Sequence, residues 1–210
     1  MRDEPCAEAI DHIRRNDLDF ERALGLISPL PSRYKPAGFK HLCQIIIEQQ
    51  VSLASAASIW KRLTDAVSPF TPITLLGYQE DELKSFGLSH PKARYCLSLA
   101  NEILEGRLDL DALSDFSDQD AIDALISVKG IGRWTAEIYL ISCLNRQDIW
   151  PAGDVALQTA MQHLKNLDTR PDVSLMDAYS EPLRPYRTLG ARILWRYYSD
   201  VVKPSTRLGK

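Results

Sequence analysis

Leu125-Ile126-Ser127-Val128-Lys129-Gly130-Ile131-Gly132-Arg133-Trp134-Thr135-Ala136, followed by Trp150-Pro151-Ala152-Gly153-Asp154-Val155, decides the reading of this chain. Ala121, Ile122, Leu125 and Ile126 recur on one helical face, and Ser117 with Asp120 three positions on resembles a capping box at its start. Lys129-Gly130-Ile131-Gly132 interrupts that helix, because two glycines around one aliphatic residue permit positive φ angles and close backbone approach. A second helix opens at once, with Ala136, Tyr139, Leu140 and Cys143 at helical spacing. A glycine-rich turn that opens a helix presents backbone N–H groups and a partial positive charge, which suits an anion. A nucleic-acid phosphate fits, held by backbone donors rather than by massed lysines.

At 210 residues the chain makes one globular domain, or one domain of two lobes, with length enough for a real core. It has no low-complexity tract and no internal repeat. No apolar run is long enough to span a membrane, and the charged N-terminus does not read as a signal peptide. Cys6, Cys43, Cys96 and Cys143 lie far apart, in no metal-ligand spacing, and mostly on apolar helical faces. They read as reduced core thiols of a cytosolic protein. The net charge of −3 argues mildly against nucleic acid, because a DNA footprint is usually basic. Local charge matters more. Lys129, Arg133, Arg184, Arg187, Arg192 and Arg196 lie near the candidate stretch or in the last helix, and Lys203, Arg207 and Lys210 follow in the tail. A solvated helical face is the alternative reading of each.

Along the chain, residues 4–15 and 18–27 read as two helices, and Pro29, Pro31 and Pro36 break the chain into a connector. The longest helical pattern runs from Gly38 to Val67, through Leu42, Ile45, Ile46, Ala56, Ala57, Trp60 and Leu63. Gln49 falls in phase with its apolar face, beside Gln50, and Ser52 can cap a second helix, so the chain bends here into an exposed corner. A glutamine at an apolar phase is either a hydrogen-bonded core amide or a residue with a purpose. Ser89, with Pro91 in the first turn, starts a helix that reaches Gly106, and His90 reads as a helix-start residue rather than a ligand. Asp154 heads a helix to Leu164, Pro171-Asp172 another, and Pro185-Tyr186-Arg187-Thr188 the last. No segment alternates like a strand, so the expected class is all-α.

The hairpin, with the Gly/Pro loop and aspartate twenty positions after Trp134, resembles the helix-hairpin-helix–GPD superfamily of DNA glycosylases. Gly-Ile-Gly-Arg-Trp-Thr-Ala, the Gln49-Gln50 segment, Gly87-Leu88-Ser89 with Lys92-Ala93, and Pro185-Tyr186-Arg187-Thr188 together look like its AlkA/MAG-type alkylpurine (3-methyladenine) branch, over roughly Gly38 to Tyr197. The resemblance implies a two-lobed helical fold without an N-terminal β domain. With no cysteine after Cys143, it also implies no iron–sulfur cluster. One lobe would span 38–144, with the helix-hairpin-helix at about 118–144, and 1–37 with 145–210 would form the other, the DNA cleft lying between them.

Breaking a base–sugar bond develops positive charge on the sugar, which a carboxylate stabilises while helping a water attack. Asp154 is the candidate. It is equally a helix N-cap, and the two roles are compatible because a helix N-terminus favours negative charge. In relatives that also cut the backbone a lysine stands where this chain has Trp134. A tryptophan forms no imine, so the resemblance implies a monofunctional, water-using enzyme without lyase activity. A core aromatic is the alternative reading of Trp134. The substrate base, already cationic, needs no general acid, and Trp134 would attract it by cation–π interaction.

The resemblance places Ile138 and Leu183 at the base pocket, where relatives carry tyrosine and tryptophan, so the pocket is less aromatic and less suited to neutral bases such as hypoxanthine. It gives DNA contacts to Gln49, Gln50, Lys129, Gly130, Ile131, Gly132, Arg133 and Thr135, with Gln50 filling the gap left by an extruded nucleotide. No cofactor is required, although the carbonyls of Ile126, Val128 and Ile131 would suit a Na⁺ or K⁺ at the hairpin. The expected function is excision of 3-methyladenine and 7-methylguanine from duplex DNA in base excision repair. The expected protein is a monomer, in the cytoplasm (nucleoid) of a bacterium or the nucleus of a eukaryote. A non-catalytic helix-hairpin-helix protein that binds damaged DNA is the alternative.

Overall fold

The computed structural model describes residues 4–204, so Arg207 and Lys210 of the tail lie outside the described residues. Among them there are only helices: α1 (Ala7–Asn16), α2 (Leu18–Leu26), α3 (Phe39–Glu48), α4 (Leu53–Ala66), α5 (Pro72–Leu76), α6 (Glu80–Ser85), α7 (His90–Leu104), α8 (Asp118–Ile126), α9 (Arg133–Ser142), α10 (Val155–Leu164), α11 (Val173–Ser180) and α12 (Arg187–Tyr197). Short 3₁₀ turns at Ala112–Ser114 and Glu181–Leu183, and a π turn at Tyr198–Val202, complete the list.

Side-chain caps set most of the starts. Asp17 accepts from the N–H groups of Asp19 and Phe20, Ser52 from Ser55, Thr71 from Thr74, Ser117 from Asp120, and Asp172 from Leu175. Each such cap contributes about 1 kcal/mol. Ser89 heads α7 by position, but its side chain makes no capping bond. At α8 the box is one-sided, since the Ser117 hydroxyl itself donates to the Asp120 carboxylate. Cys6 is exposed rather than a core thiol, and Ala57 and Ile126 face solvent rather than the apolar interior.

The chain divides into two compact units, Lys35–Leu144 and Met1–Tyr34 with Asn145–Lys210. In the first, α3 packs on α7 and α9, α5 on α7, and α8 on α9. Leu42, Cys43, Ile46 and Ile47 of α3 meet a core that includes Cys96, Leu99 and Ala100 of α7 and Tyr139 and Leu140 of α9, all buried. The hydroxyl oxygen of Tyr139 accepts the Gly38 N–H at 2.8 Å, so the one polar atom of a wholly buried ring is satisfied. Burial also pushes its phenol pKa well up.

In the second unit α12 is central, with Leu189, Gly190, Ala191, Ile193 and Leu194 buried, and it packs on α1, α2 and α10. Gly190 permits the closest approach: a Cβ there would lie 2.6 Å from Leu183 Cδ1. The amino-terminal helices are pinned to α10 by polar contacts. Arg22 Nη2 donates to the Leu164 carbonyl at 2.8 Å, and Lys165 reaches Asp17 at 2.6 Å and Asp19 at 3.0 Å.

Candidate active site

The hairpin between α8 and α9 is built from Ser127 to Gly132. Val128 and Ile131 point inward, and the Ile131 N–H returns to the Val128 carbonyl at 3.0 Å, which closes the turn. Gly130 has φ +95°, the left-handed region, and a Cβ there would lie 2.0 Å from Cγ of Tyr95. Only glycine satisfies both demands. Gly132 then caps α9 with no side-chain hydrogen bond of its own, unlike Ser117 at α8. Backbone donors and the positive end of a helix therefore converge on an exposed glycine, with the exposed Lys129 beside them.

The expected contact residues lie at different depths. Thr135 is buried, and its hydroxyl accepts from Gln49 Nε2 at 2.8 Å; the same amide donates to the Gly130 carbonyl at 3.1 Å. Gln49 is thus the hydrogen-bonded amide of the two open readings, and it ties the end of α3 to the hairpin. Ile131 is buried as well, and its N–H is spent on the Val128 carbonyl. Arg133 is exposed, but its Nε donates to the nearly buried Glu137 carboxylate at 2.8 Å, which offsets its charge. Gln50 is exposed at φ +55°, a conformation that few non-glycine residues adopt. Trp134 and Ile138, both half-buried, stand four positions apart on α9 and so share a face.

Asp154 lies in the other unit, half-buried at the start of α10. Its Oδ1 accepts from the N–H groups of Ala156 at 2.9 Å and Leu157 at 3.0 Å. Leu183, expected at the base pocket, is wholly buried beneath Gly190 and is a core residue of that unit.

The loop leading to Asp154 is held by Arg184, Arg187 and Thr188, the first two read from sequence only as local positive charge. Arg187 donates from Nε to Asp148 Oδ1 at 2.8 Å and from Nη2 to the Asp148 carbonyl at 2.7 Å. Arg184 adds a contact to the same carboxylate at 2.9 Å. Thr188 Oγ1 donates to the Arg146 carbonyl at 2.8 Å and accepts the Ile149 N–H at 3.0 Å, while its own N–H reaches the Gln147 carbonyl at 3.0 Å. Further on, Trp150 Nε1 donates to the Met176 carbonyl, and Gln158 Nε2 to that of Ala152. Nearly every residue from Arg146 to Ala152 is therefore anchored, and the Asp154 carboxylate sits on a fixed mount. The signal in the sequence was Pro185-Tyr186-Arg187-Thr188 itself, whose contacts lie some forty positions upstream and cannot be read from spacing.

Residues 43–185 match the family model described as HhH-GPD superfamily base excision DNA repair protein. The chain belongs to that superfamily. It is similar to DNA-3-methyladenine glycosylase 1 of Schizosaccharomyces pombe, at 27% identity over 202 residues, covering 92% of this chain and 89% of the yeast protein. A solved structure of the S. pombe 3-methyladenine DNA glycosylase (Mag1) in complex with abasic DNA superposes with a TM-score of 0.83 at 27% identity, covering 90% of this chain and 95% of that one. A DNA-3-methyladenine glycosidase from Bacillus halodurans gives 0.79 at 27% identity, covering 93% and 91%. The all-helical architecture is the HhH-GPD architecture. No helix among the described residues is long and apolar enough to cross a membrane, and no cluster of His, Cys, Asp or Glu there could hold a metal ion.

Proposed function

We propose that this chain is a monofunctional DNA-3-methyladenine glycosylase, which extrudes an alkylated purine from duplex DNA and hydrolyses its bond to the sugar. The observation that carries the reading is the residue set of the HhH-GPD pattern: a glycine hairpin opening α9, Trp134 where a lyase would need an amine, and Asp154 capping α10. Similarity over about nine-tenths of both chains to enzymes named for this activity supports it.

In this reading the Gly130 and Gly132 amides and Lys129 hold a phosphate, and Gln50 enters the duplex where the nucleotide has left. Trp134, with Ile138 beside it, takes the flipped cationic base by cation–π attraction. Asp154 stabilises the positive charge developing on the sugar and aligns a water for attack at its anomeric carbon. The base leaves with the bonding electron pair, and an abasic site remains. Its cationic form makes it a good leaving group, so no general acid is invoked.

The hairpin carbonyls of Ile126, Val128 and Ile131 would be the ones to hold a monovalent cation, the Val128 oxygen keeping a second lone pair beside its bond to Ile131. Such an ion would complement the phosphate charge. The enzyme would act as a monomer wherever the genome lies, the nucleoid of a bacterium or the nucleus of a eukaryote.

The deciding experiment measures 3-methyladenine and 7-methylguanine released from methylated duplex DNA by wild type and by Asp154→Asn. Release lost in the variant, with binding to an abasic duplex retained, is the expected result. Equal release by both would remove Asp154 from the mechanism. Tight binding without release by the wild type would make the protein a non-catalytic damage binder.

A further inference from the structure

Lys92 is buried on the first turns of α7, in phase with Cys96, Leu99 and Ala100. Its ammonium donates to the carbonyls of Ile47 and Gln49, each at 2.7 Å. These carbonyls end α3, where a helix runs out of its own donors and its dipole is negative. Burial lowers the pKa of Lys92, so the cation sits there at a desolvation penalty that its carbonyl partners offset.

What lies just beyond is unusual. The chain passes from Gln49 into Gln50 at φ +55°. Such a residue is strained and persists only where its surroundings over-determine it. The surroundings here form a closed brace. Lys92 holds the backbone of Gln49, the Gln49 amide holds Gly130 and Thr135 of the hairpin, and Tyr95, three residues after Lys92, packs its ring against Gly130. The α7 helix thus touches the corner and the hairpin at once.

We propose that Lys92 is a positioning residue for base excision, fixing the Gln49–Gln50 corner to the hairpin so that Gln50 meets the duplex in a single conformation. This rests on the proposed glycosylase function and deepens it. The wedge and the phosphate grip then move as one block, and a phosphate seated on the hairpin sets the depth to which Gln50 enters.

The test compares wild type, Lys92→Met, Gln50→Ala and the double variant, each first checked for native helicity by circular dichroism. Single-turnover release of 7-methylguanine is measured together with the fluorescence of 2-aminopurine placed beside the lesion, which reports unstacking. Lys92→Met is expected to lower the release rate about ten- to a hundred-fold, the scale of a misplacement near 1 Å, and to suppress the fluorescence rise. In the Gln50→Ala background it is expected to add nothing. Wild-type rates in Lys92→Met, or losses that multiply in the double variant, would overturn the assignment while leaving the enzyme intact. No release by the wild type would overturn the glycosylase reading itself, and this proposal with it. Should the methionine variant fail to fold, Lys92→Leu, which likewise removes both donors, takes its place under the same criteria.

Discussion

Gly130→Ala is the sharpest test of the hairpin. At φ +95° an L-residue is strained by about 1–3 kcal/mol. The added methyl would also stand 2.0 Å from Cγ, 2.3 Å from Cδ1 and 2.5 Å from Cβ of Tyr95. These are the root of that side chain, not its tip, so a rotation about χ2 cannot clear the clash. Overpacking of this kind costs about 1–3 kcal/mol. The expected loss is therefore about 2–6 kcal/mol, a large share of the about 5–15 kcal/mol that stabilises a typical domain. Urea unfolding with linear extrapolation measures it, and affinity for an abasic duplex follows in the same preparation. Tyr95→Ala in the Gly130→Ala background removes the Cγ and Cδ1 clashes and leaves the Cβ contact and the strain. The cycle should then show a favourable coupling of about 1 kcal/mol or more, part of the overpacking cost. A loss below about 1 kcal/mol for Gly130→Ala, or a coupling near zero, would refute the reasoning.

Asp154→Asn should keep the α10 cap, because asparagine caps about as well as aspartate, whereas Asp154→Ala should lose about 1 kcal/mol of stability by thermal unfolding. Arg187→Met should cost about 2–3 kcal/mol, the scale of a charged hydrogen bond; a single-turnover rate that falls no more than stability would deny the loop its mounting role. His41 lies below its ordinary pKa of 6.5, chiefly through burial, with a hydrogen bond to Pro36 acting in the opposite sense. The folded state therefore binds fewer protons than the unfolded one. Its contribution is present above pH 6.5 and is lost as pH falls through the depressed value. Urea midpoints on either side of that range should differ more in wild type than in His41→Gln.

Caps and periodicity made most helices legible. Ser52, Ser117, Asp154 and Asp172 each act where their residue types suggested, because a cap is decided by neighbours two or three positions away. The hairpin glycines were legible for the same reason. Contacts between distant segments were not. Thr135 and Gln49 are 86 positions apart, so nothing local distinguished an inward hydroxyl from one facing DNA. Leu183 carried a pocket role by resemblance, yet the small Gly190 admits it fully into the interior. Lys92 did leave a trace, a cation in phase with buried Cys96 and Leu99, but its partners are carbonyls 43 and 45 positions away. Arg133 shows the limit of counting charges, because Glu137 one turn later offsets it.

The division of the chain bears on its birth at the ribosome. Lys35–Leu144 is one unbroken run, whereas Met1–Tyr34 belongs with a segment that begins only at Asn145. Asp17 and Asp19 of the amino-terminal helices wait for Lys165, and Arg22 for the carbonyl of Leu164. The middle of the chain is thus complete while its beginning still lacks partners, a reversal of the usual order of vectorial folding. Nascent chains arrested soon after residue 180 should yield a protease-resistant core from the middle and remain cleavable in the first thirty-odd residues. Resistance of both together would mean that α12 is dispensable for seating α1 and α2, although it is their largest neighbour in the finished protein.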